Sequence, residues 1–399
     1  MICSGNVSDA YQLEGVYVVL RHGSRSPLYK IPNLRPPKVS CLLSHSNNGI
    51  LAKTFTSAMD KQVKEMKQIS VFHWWSTYPN RSKCSSAQLT NVGALQMIRL
   101  GQLFKSIYVD KWKLIERNEQ ESLNRIFVHS TKYPRTVQSA VAFLYGVIPS
   151  LNLTAIRISL TSNLLFCTST DVNLPCICQA AYKLESEMKS AAKSALNRSN
   201  TLRKEIAQIV RVRSSRLPWM SAMLEVLSTY VCHGQRLPCV KDRCFTWDII
   251  QNMWNIHDKE DAQKLLNPIQ ERVSRLVSHP FLHQLVHRLL NKARSTSNER
   301  FVLYFGHDKT LLYISKALGI HDGRWPPYAS RLVFELYKRN SLFYIRVLFN
   351  GIDKTYNLTF CSPSNLVGGL CPLENFVYFV LYQNIKFFGK ASFKNACTI

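Results

Sequence analysis

An unbroken apolar stretch of strand-forming residues, Gly15-Val16-Tyr17-Val18-Val19-Leu20, runs directly into Arg21-His22-Gly23-Ser24-Arg25-Ser26-Pro27. A strand without alternation of apolar and polar positions must be covered on both faces, as in the interior of a parallel sheet. The polar run then occupies the loop leaving that strand, at the carboxyl edge where open α/β sheets bind ligands. None of its two arginines and one histidine would pack comfortably in a core. Guanidinium forks match the oxygens of a phosphate, and an imidazole held between them can attack phosphorus. Gly23 lets the backbone come close to a ligand, and Pro27 stiffens the loop exit.

The arrangement recurs. Ile126-Phe127-Val128 leads into His129-Ser130-Thr131 and on to Arg135, and Phe301-Val302-Leu303-Tyr304-Phe305 leads into Gly306-His307-Asp308. Three apolar strands, each ending in cationic or proton-carrying residues, describe one site at one sheet edge.

These segments resemble the histidine acid phosphatases. Residues 21–27 fit the family's RHGxRxP signature, Gly306-His307-Asp308 fits its second half, and residues 130–136 (STKYPRT) fit the segment that supplies a further arginine. Phe143-Leu144-Tyr145-Gly146, Leu165-Phe166-Cys167, residues 331–336 and residues 371–375 resemble a Golgi branch of that family, the 2-phosphoxylose phosphatases, so the likeness covers about 15–397. The resemblance implies an α/β, phosphoglycerate-mutase-like fold: a mixed, mainly parallel sheet flanked by helices, with a mostly helical, disulfide-bearing cap. It implies His22 as a nucleophile forming a phosphohistidine. Arg21, Arg25, Arg135 and His307 become phosphate ligands, and Asp308 the proton donor, active under acidic or mildly acidic conditions. No metal or cofactor enters that chemistry. Asp308 also suits the N-cap of the helix after it, and both roles can hold at once. Ser24 departs from the aspartate common at this position in the branch, which puts any assisting role of that aspartate in doubt.

By the same resemblance the substrate is 2-O-phosphoxylose in the linkage region between glycosaminoglycan chains and proteoglycan core proteins, with linkage-region glycosyltransferases of the Golgi as partners. The alternatives are a broad lysosomal-type acid phosphatase and a catalytically silent module that binds anionic glycans. The chain carries 51 basic against 25 acidic residues, a net charge of +26, which favours an anionic partner. No nucleic-acid-binding motif accompanies that charge. Twelve cysteines fit a secretory compartment, and sequons at Asn6, Asn80, Asn152, Asn197 and Asn357 agree with it. No signal peptide or membrane-spanning run is evident, so the expectation is a Golgi-lumenal enzyme without the family's N-terminal anchor in this chain. Cys167, Cys176, Cys178, Cys232, Cys239 and Cys244 could suggest zinc, but their spacings do not repeat as CxxC pairs, and disulfides are the better reading. Cys361 and Cys371 resemble a family disulfide.

One domain over 1–399 is expected, with a core from about 11–29, 86–160 and 296–399 and cap insertions at about 30–85 and 160–295. Helices are expected at 59–72, 90–108 (capped by Thr90), 136–148, 182–214, 221–231, 268–276, 282–293 and 308–318. Residues 331–337 and 343–349 read as paired strands, and Asn350-Gly351 signals a hairpin into a strand at 352–360.

Overall fold

The structure, a computed structural model, describes residues 7–43, 49–65, 75–115, 124–150, 152–153, 156–194, 200–265 and 267–399. Strands β1 (Gln12–Arg21), β2 (Ile126–Thr131), β3 (Ile158–Thr161), β4 (Phe301–Gly306), β5 (Arg331–Arg339), β6 (Leu342–Phe349) and β7 (Ile352–Asp353) form one mixed sheet in the order β7-β6-β5-β1-β4-β2-β3. β1, β4, β2 and β3 are mutually parallel, and β5 runs antiparallel to both β1 and β6. Register aligns the parallel ends: Arg21 pairs with Gly306, and Ser130 with Phe305. The three motif loops therefore leave the sheet side by side.

Both faces of the central strands are covered, as their unbroken apolar runs require. Val16, Val18, Leu20, Leu303 and Phe305 pack on one face with α2 (Asn91–Phe104) and α3 (Pro134–Val147). Tyr17, Val19, Val302 and Tyr304 face the other layer, which includes α8 (Pro268–Ala293) and α9 (Asp308–Ala317). The helices α5 (Asn200–Val210), α6 (Met220–Cys232) and α7 (Trp247–Leu265) close a separate apolar cluster that also takes in Ile31. Helices α1 (Gly49–Glu65) and α4 (Gln179–Ser194) complete the longer ones, and three short helices, Leu373–Tyr378, Asn384–Phe388 and Phe393–Cys397, follow β7.

Several expectations need correction. The helix expected at 59–72 begins earlier, as α1, and residues 66–74 lie outside those described. The stretches 268–276 and 282–293 form one helix that runs through Pro280. Proline there forfeits a helical hydrogen bond, but Leu276, Phe281 and Leu282 are wholly buried on either side, and packing holds the turn. The long strand at 352–360 stops at Asp353, whose Oδ1 accepts both the Thr355 N–H (2.9 Å) and the Thr355 hydroxyl (2.6 Å). That side-chain turn diverts the backbone into a short 3-10 turn, Thr355–Asn357. Strand β3 and helix α7 were not anticipated. β3 is a short edge strand, half exposed throughout. In α7, Ile249, Ile250, Met253 and Ile256 do carry a helical spacing, masked by the polar residues between them.

Five disulfides join Cys41–Cys84, Cys167–Cys176, Cys178–Cys397, Cys239–Cys244 and Cys361–Cys371. The reading of the cysteines as disulfides holds except at Cys232, which is exposed and unpaired among the described residues. Asn80, Asn152 and Asn357 are exposed, while Asn6 and Asn197 lie outside the described residues. Among the described residues no helix is long and apolar enough to cross a membrane.

Candidate active site

The loop after β1 is fixed by backbone, not by its charged side chains. The Ser24 carbonyl accepts the Thr90 N–H (3.0 Å) and the Thr90 hydroxyl (2.9 Å), while the Ser24 N–H donates to Gln96 Oε1 (2.9 Å). The Thr90 hydroxyl accepts from Gly93 N at 3.0 Å, which makes it the expected cap of α2. The Gly23 N–H donates to the Ser139 hydroxyl on α3 at 3.1 Å. A methyl group on Gly23 would collide with the Gly93 backbone, its Cβ lying 2.9 Å from the Gly93 Cα. The close approach that Gly23 allows is thus to helix α2, which corrects the expectation that it serves a ligand.

Pinned this way, the loop buries His22 almost completely. Its Nδ1 lies 2.8 Å from its neighbour's carbonyl, Gly23 O. Because a carbonyl only accepts, Nδ1 carries the proton and Nε2 keeps its lone pair. Burial, then the charges of Arg21 and Arg135 and the nearby His307, push the His22 pKa well below the usual histidine value. The ring is therefore neutral and able to donate electrons even in mild acid.

Arg21 lies between the backbone and Asp308. Its guanidinium donates to Pro326 O (2.5 Å), pairs with Asp308 Oδ2 (2.9 Å) and stacks over the Tyr328 ring at 4.2 Å. Arg25 is held in a fork by Glu225 of α6, with N–O distances of 2.7 and 3.0 Å. Glu225 also accepts the Leu28 N–H at 2.6 Å. Arg135, in the first turn of α3, lies 4.5 Å over the Tyr133 ring. Burial and then Arg25 lower its pKa to about 10. The Nε atoms of Arg21 and Arg135 are buried with no hydrogen-bond partner. Unsatisfied donors of this kind suit an arriving anion.

His307 Nε2 lies 2.9 Å from the Thr131 hydroxyl at the end of β2, and its ring meets His22 edge-on with centroids 5.5 Å apart. Burial, then Arg135, bring its pKa down to about 3. Asp308 opens α9. Its Oδ1 accepts from Lys309 N (2.7 Å), and its Oδ2 faces Arg21 and accepts from the Trp325 indole N–H at 3.3 Å. Burial acts to raise its pKa, but Arg21, the Lys309 N–H and His307 together outweigh that and hold the carboxyl below its ordinary value.

The structure thus brings His22, Arg21, Arg25, Arg135, His307 and Asp308 to one sheet edge. It adds residues that the sequence reading did not single out: Gln96, Thr131, Glu225, Trp325 and Tyr328. At Ser24 the hydroxyl faces His233 Nε2 of α6's C-terminal turn at 3.5 Å. Among the described residues no group of three or more histidine, cysteine, aspartate or glutamate side chains is placed to hold a metal ion.

Comparison with known proteins bears on the family and the fold. Residues 12–228 and 243–350 match the family described as the histidine phosphatase superfamily, branch 2. The chain is 33% identical over 393 residues to mouse 2-phosphoxylose phosphatase 1, covering 94% of this chain and 78% of that protein. It is 26% identical to bovine lysophosphatidic acid phosphatase type 6, over 92% of this chain and 82% of the relative. Among solved structures, the apo form of Hafnia alvei phytase superposes with a TM-score of 0.61 at 16% identity, over 99% of this chain and 100% of that one, a likeness of fold.

Proposed function

The chain belongs to branch 2 of the histidine phosphatase superfamily and is a phosphatase, and we propose that it removes the 2-O-phosphate from xylose in the linkage region of proteoglycans through a phosphohistidine at His22. The observation that carries the mechanism is the tautomer of His22: Nδ1–H is committed to Gly23 O, and Nε2 is left as the nucleophile within the field of the Arg21 and Arg135 guanidinium groups. The phosphate oxygens take the open donors of Arg21, Arg25 and Arg135, with His307 beside them. Nε2 attacks phosphorus, the P–O bond to the sugar breaks, and Asp308 gives its proton to the leaving oxygen. Water then attacks the phosphohistidine, its proton passes to the Asp308 carboxylate, and His22 and inorganic phosphate are released.

Asp308 must be protonated when the ester binds, although Arg21 holds it ionised without substrate. A phosphate that draws Arg21 toward itself loosens that hold and raises the Asp308 pKa, and mildly acidic solution supplies the proton. The substrate assignment rests on the likeness to 2-phosphoxylose phosphatase 1, and the basic composition agrees with an anionic glycan. Five disulfides and exposed sequons fit the oxidising lumen of the secretory pathway, with the Golgi as the compartment this substrate implies. The insertions around the core, α5 to α7 above all, form the cap from which sugar selectivity comes. A broad acid phosphatase is the second reading, favoured by the likeness to a lysophosphatidic acid phosphatase. A silent glycan-binding module is disfavoured by the intact set of site residues.

The test is phosphate release from a 2-phosphoxylose linkage oligosaccharide by the purified chain and by His22→Ala, with EDTA present, from acidic to neutral pH. Release by the parent alone supports mechanism and substrate together. Release only from an aryl phosphate moves the protein to another branch of the family. Release from neither leaves a binding module.

A further inference from the structure

Away from the catalytic edge, α8 carries His279, His283 and His287 at successive four-residue steps. His283 and His287 line a cavity of about 410 Å³ together with Thr168, Arg288, Asn291 and Glu299, sharing no residue with the site described above. Histidines four apart on a helix lie on one face, one turn above the other. Here the two ring centroids are 4.5 Å apart and the planes cross at 48°. With metal–nitrogen bonds of about 2.0–2.1 Å in a tetrahedral shell, two imidazoles on one ion need their nitrogens roughly 3.4 Å apart, a separation compatible with rings whose centroids are 4.5 Å apart.

We propose that His283 and His287 form a second, ligand-binding site on this protein, taking a divalent transition cation of the zinc class on two imidazoles, with water completing the shell. Neither imidazole makes a hydrogen bond among the described residues, so neither has a partner to give up. His283 is half-buried and His287 exposed, which leaves the ion a path from solvent. Arg288, in the same cavity lining, is ion-paired with Glu299, and the Asp171 carboxylate is close enough to act electrostatically on His283. Imidazole suits zinc and copper above calcium and magnesium. No third imidazole, thiolate or carboxylate among the described residues completes the set, so the site is open and exchangeable. His279 stands outside it, packed at 4.3 Å on Phe393.

The cation clips two turns of the helix that supports α9 from below, and a ligand that binds only the folded state raises its stability. The experiment uses the full chain stripped with EDTA and then freed of it. Calorimetric titration with zinc chloride should give one site, zinc should raise the melting temperature, and copper(II) at one equivalent should give an EPR spectrum with two imidazole nitrogens. His287→Ala, at an exposed position, should abolish all three, and His22→Ala should keep them, which separates this site from the catalytic histidines. Asn291→His places a third imidazole one turn further along the same cavity wall and should tighten zinc binding at least tenfold. Undiminished zinc affinity and an unchanged copper spectrum in His287→Ala would overturn the proposal, as would the absence of zinc binding at submillimolar concentration in the parent chain.

Discussion

Replacing Asp308 by asparagine separates the role proposed for its carboxyl from the contact it makes in this structure. In the proposed mechanism it gives its proton to the leaving oxygen, while as the partner of Arg21 at 2.9 Å it would compete with an arriving phosphate for a guanidinium. The amide of Asp308→Asn has nearly the same shape, and its one oxygen can still accept the Lys309 N–H, but the –NH2 that replaces Oδ2 cannot accept from Trp325 or pair with Arg21. It has no proton to give. Loss of a positioned general acid costs about 10²–10⁴ in rate, or roughly 3–5 kcal/mol of barrier at about 1.4 kcal/mol per decade. That loss should appear in full on a sugar phosphate, whose alkoxide leaves only when protonated. It should shrink to less than about tenfold on a nitrophenyl phosphate, whose phenolate leaves readily without a proton. Meanwhile the freed Arg21 should lower KM for both, because a carboxylate no longer occupies it. The assay is the single-turnover rate of leaving-group release from the two substrates, with enzyme in excess, by parent and variant at mildly acidic pH, which reads the first step apart from hydrolysis of the phosphohistidine. Equal losses of the single-turnover rate on both substrates would refute the reasoning, since a structural defect does not sense the leaving group.

Rapid acid-free quenching of the parent with ³²P-labelled substrate should trap acid-labile radioactivity on His22, attached at Nε2 because Nδ1–H is committed to Gly23 O; label that persists in His22→Ala, or attachment at Nδ1, contradicts the assigned tautomer. Gly101→Ala should destabilise the fold by about 1–3 kcal/mol, read as a lower urea midpoint. Its Cβ would lie 2.9 Å from the Gly146 Cα where α2 crosses α3, and an unchanged midpoint would mean the helices are not packed this closely. Stability should fall as pH drops from about 6.5 toward 4. Burial, then Arg288, bring the His129 pKa down to about 4, so in that window the unfolded chain binds a proton that the native chain refuses. This one group removes up to about 3 kcal/mol, and His279 and His307, each brought down to about 3, act in the same direction. A melting temperature that is flat or rising between pH 7 and pH 5 would count against these buried neutral rings.

The parts of the fold legible in the sequence are those whose burial is uniform. β1 and β4 are covered on both faces, so their apolar runs could be read without knowing what covered them. Thr90 announced α2 because capping is a local interaction between a hydroxyl and an N–H three residues on. Where local and tertiary preferences oppose each other, the sequence misled. Pro280 marks a helix end by every local rule, yet buried side chains on both sides carry α8 through it. The hairpin at Asn350-Gly351 was evident, but the strand after it was cut short by the Asp353 side chain, which bonds the backbone in place of a neighbouring strand.

The site divides along the same line, and the division says something about how it works. Arg21, His22, Asp308 and Arg135 lie within a few residues of strand ends, so strand pairing alone delivers them to one edge. Glu225 comes from a helix some 200 residues away from Arg25 and nothing in its local sequence marks it, because its partner is set by how α6 sits over the loop. The same helix brings His233 to Ser24, where the branch usually has an aspartate. A carboxylate at position 24 beside Arg25 would compete with Glu225 for that guanidinium, whereas a serine leaves the Arg25–Glu225 fork intact and offers His233 a neutral hydroxyl. The departure at Ser24 is thus compatible with intact phosphate chemistry. Its effect falls on the side of the site that α6 and His233 cover, and this protein should differ from its relatives in what it accepts more than in how it cleaves.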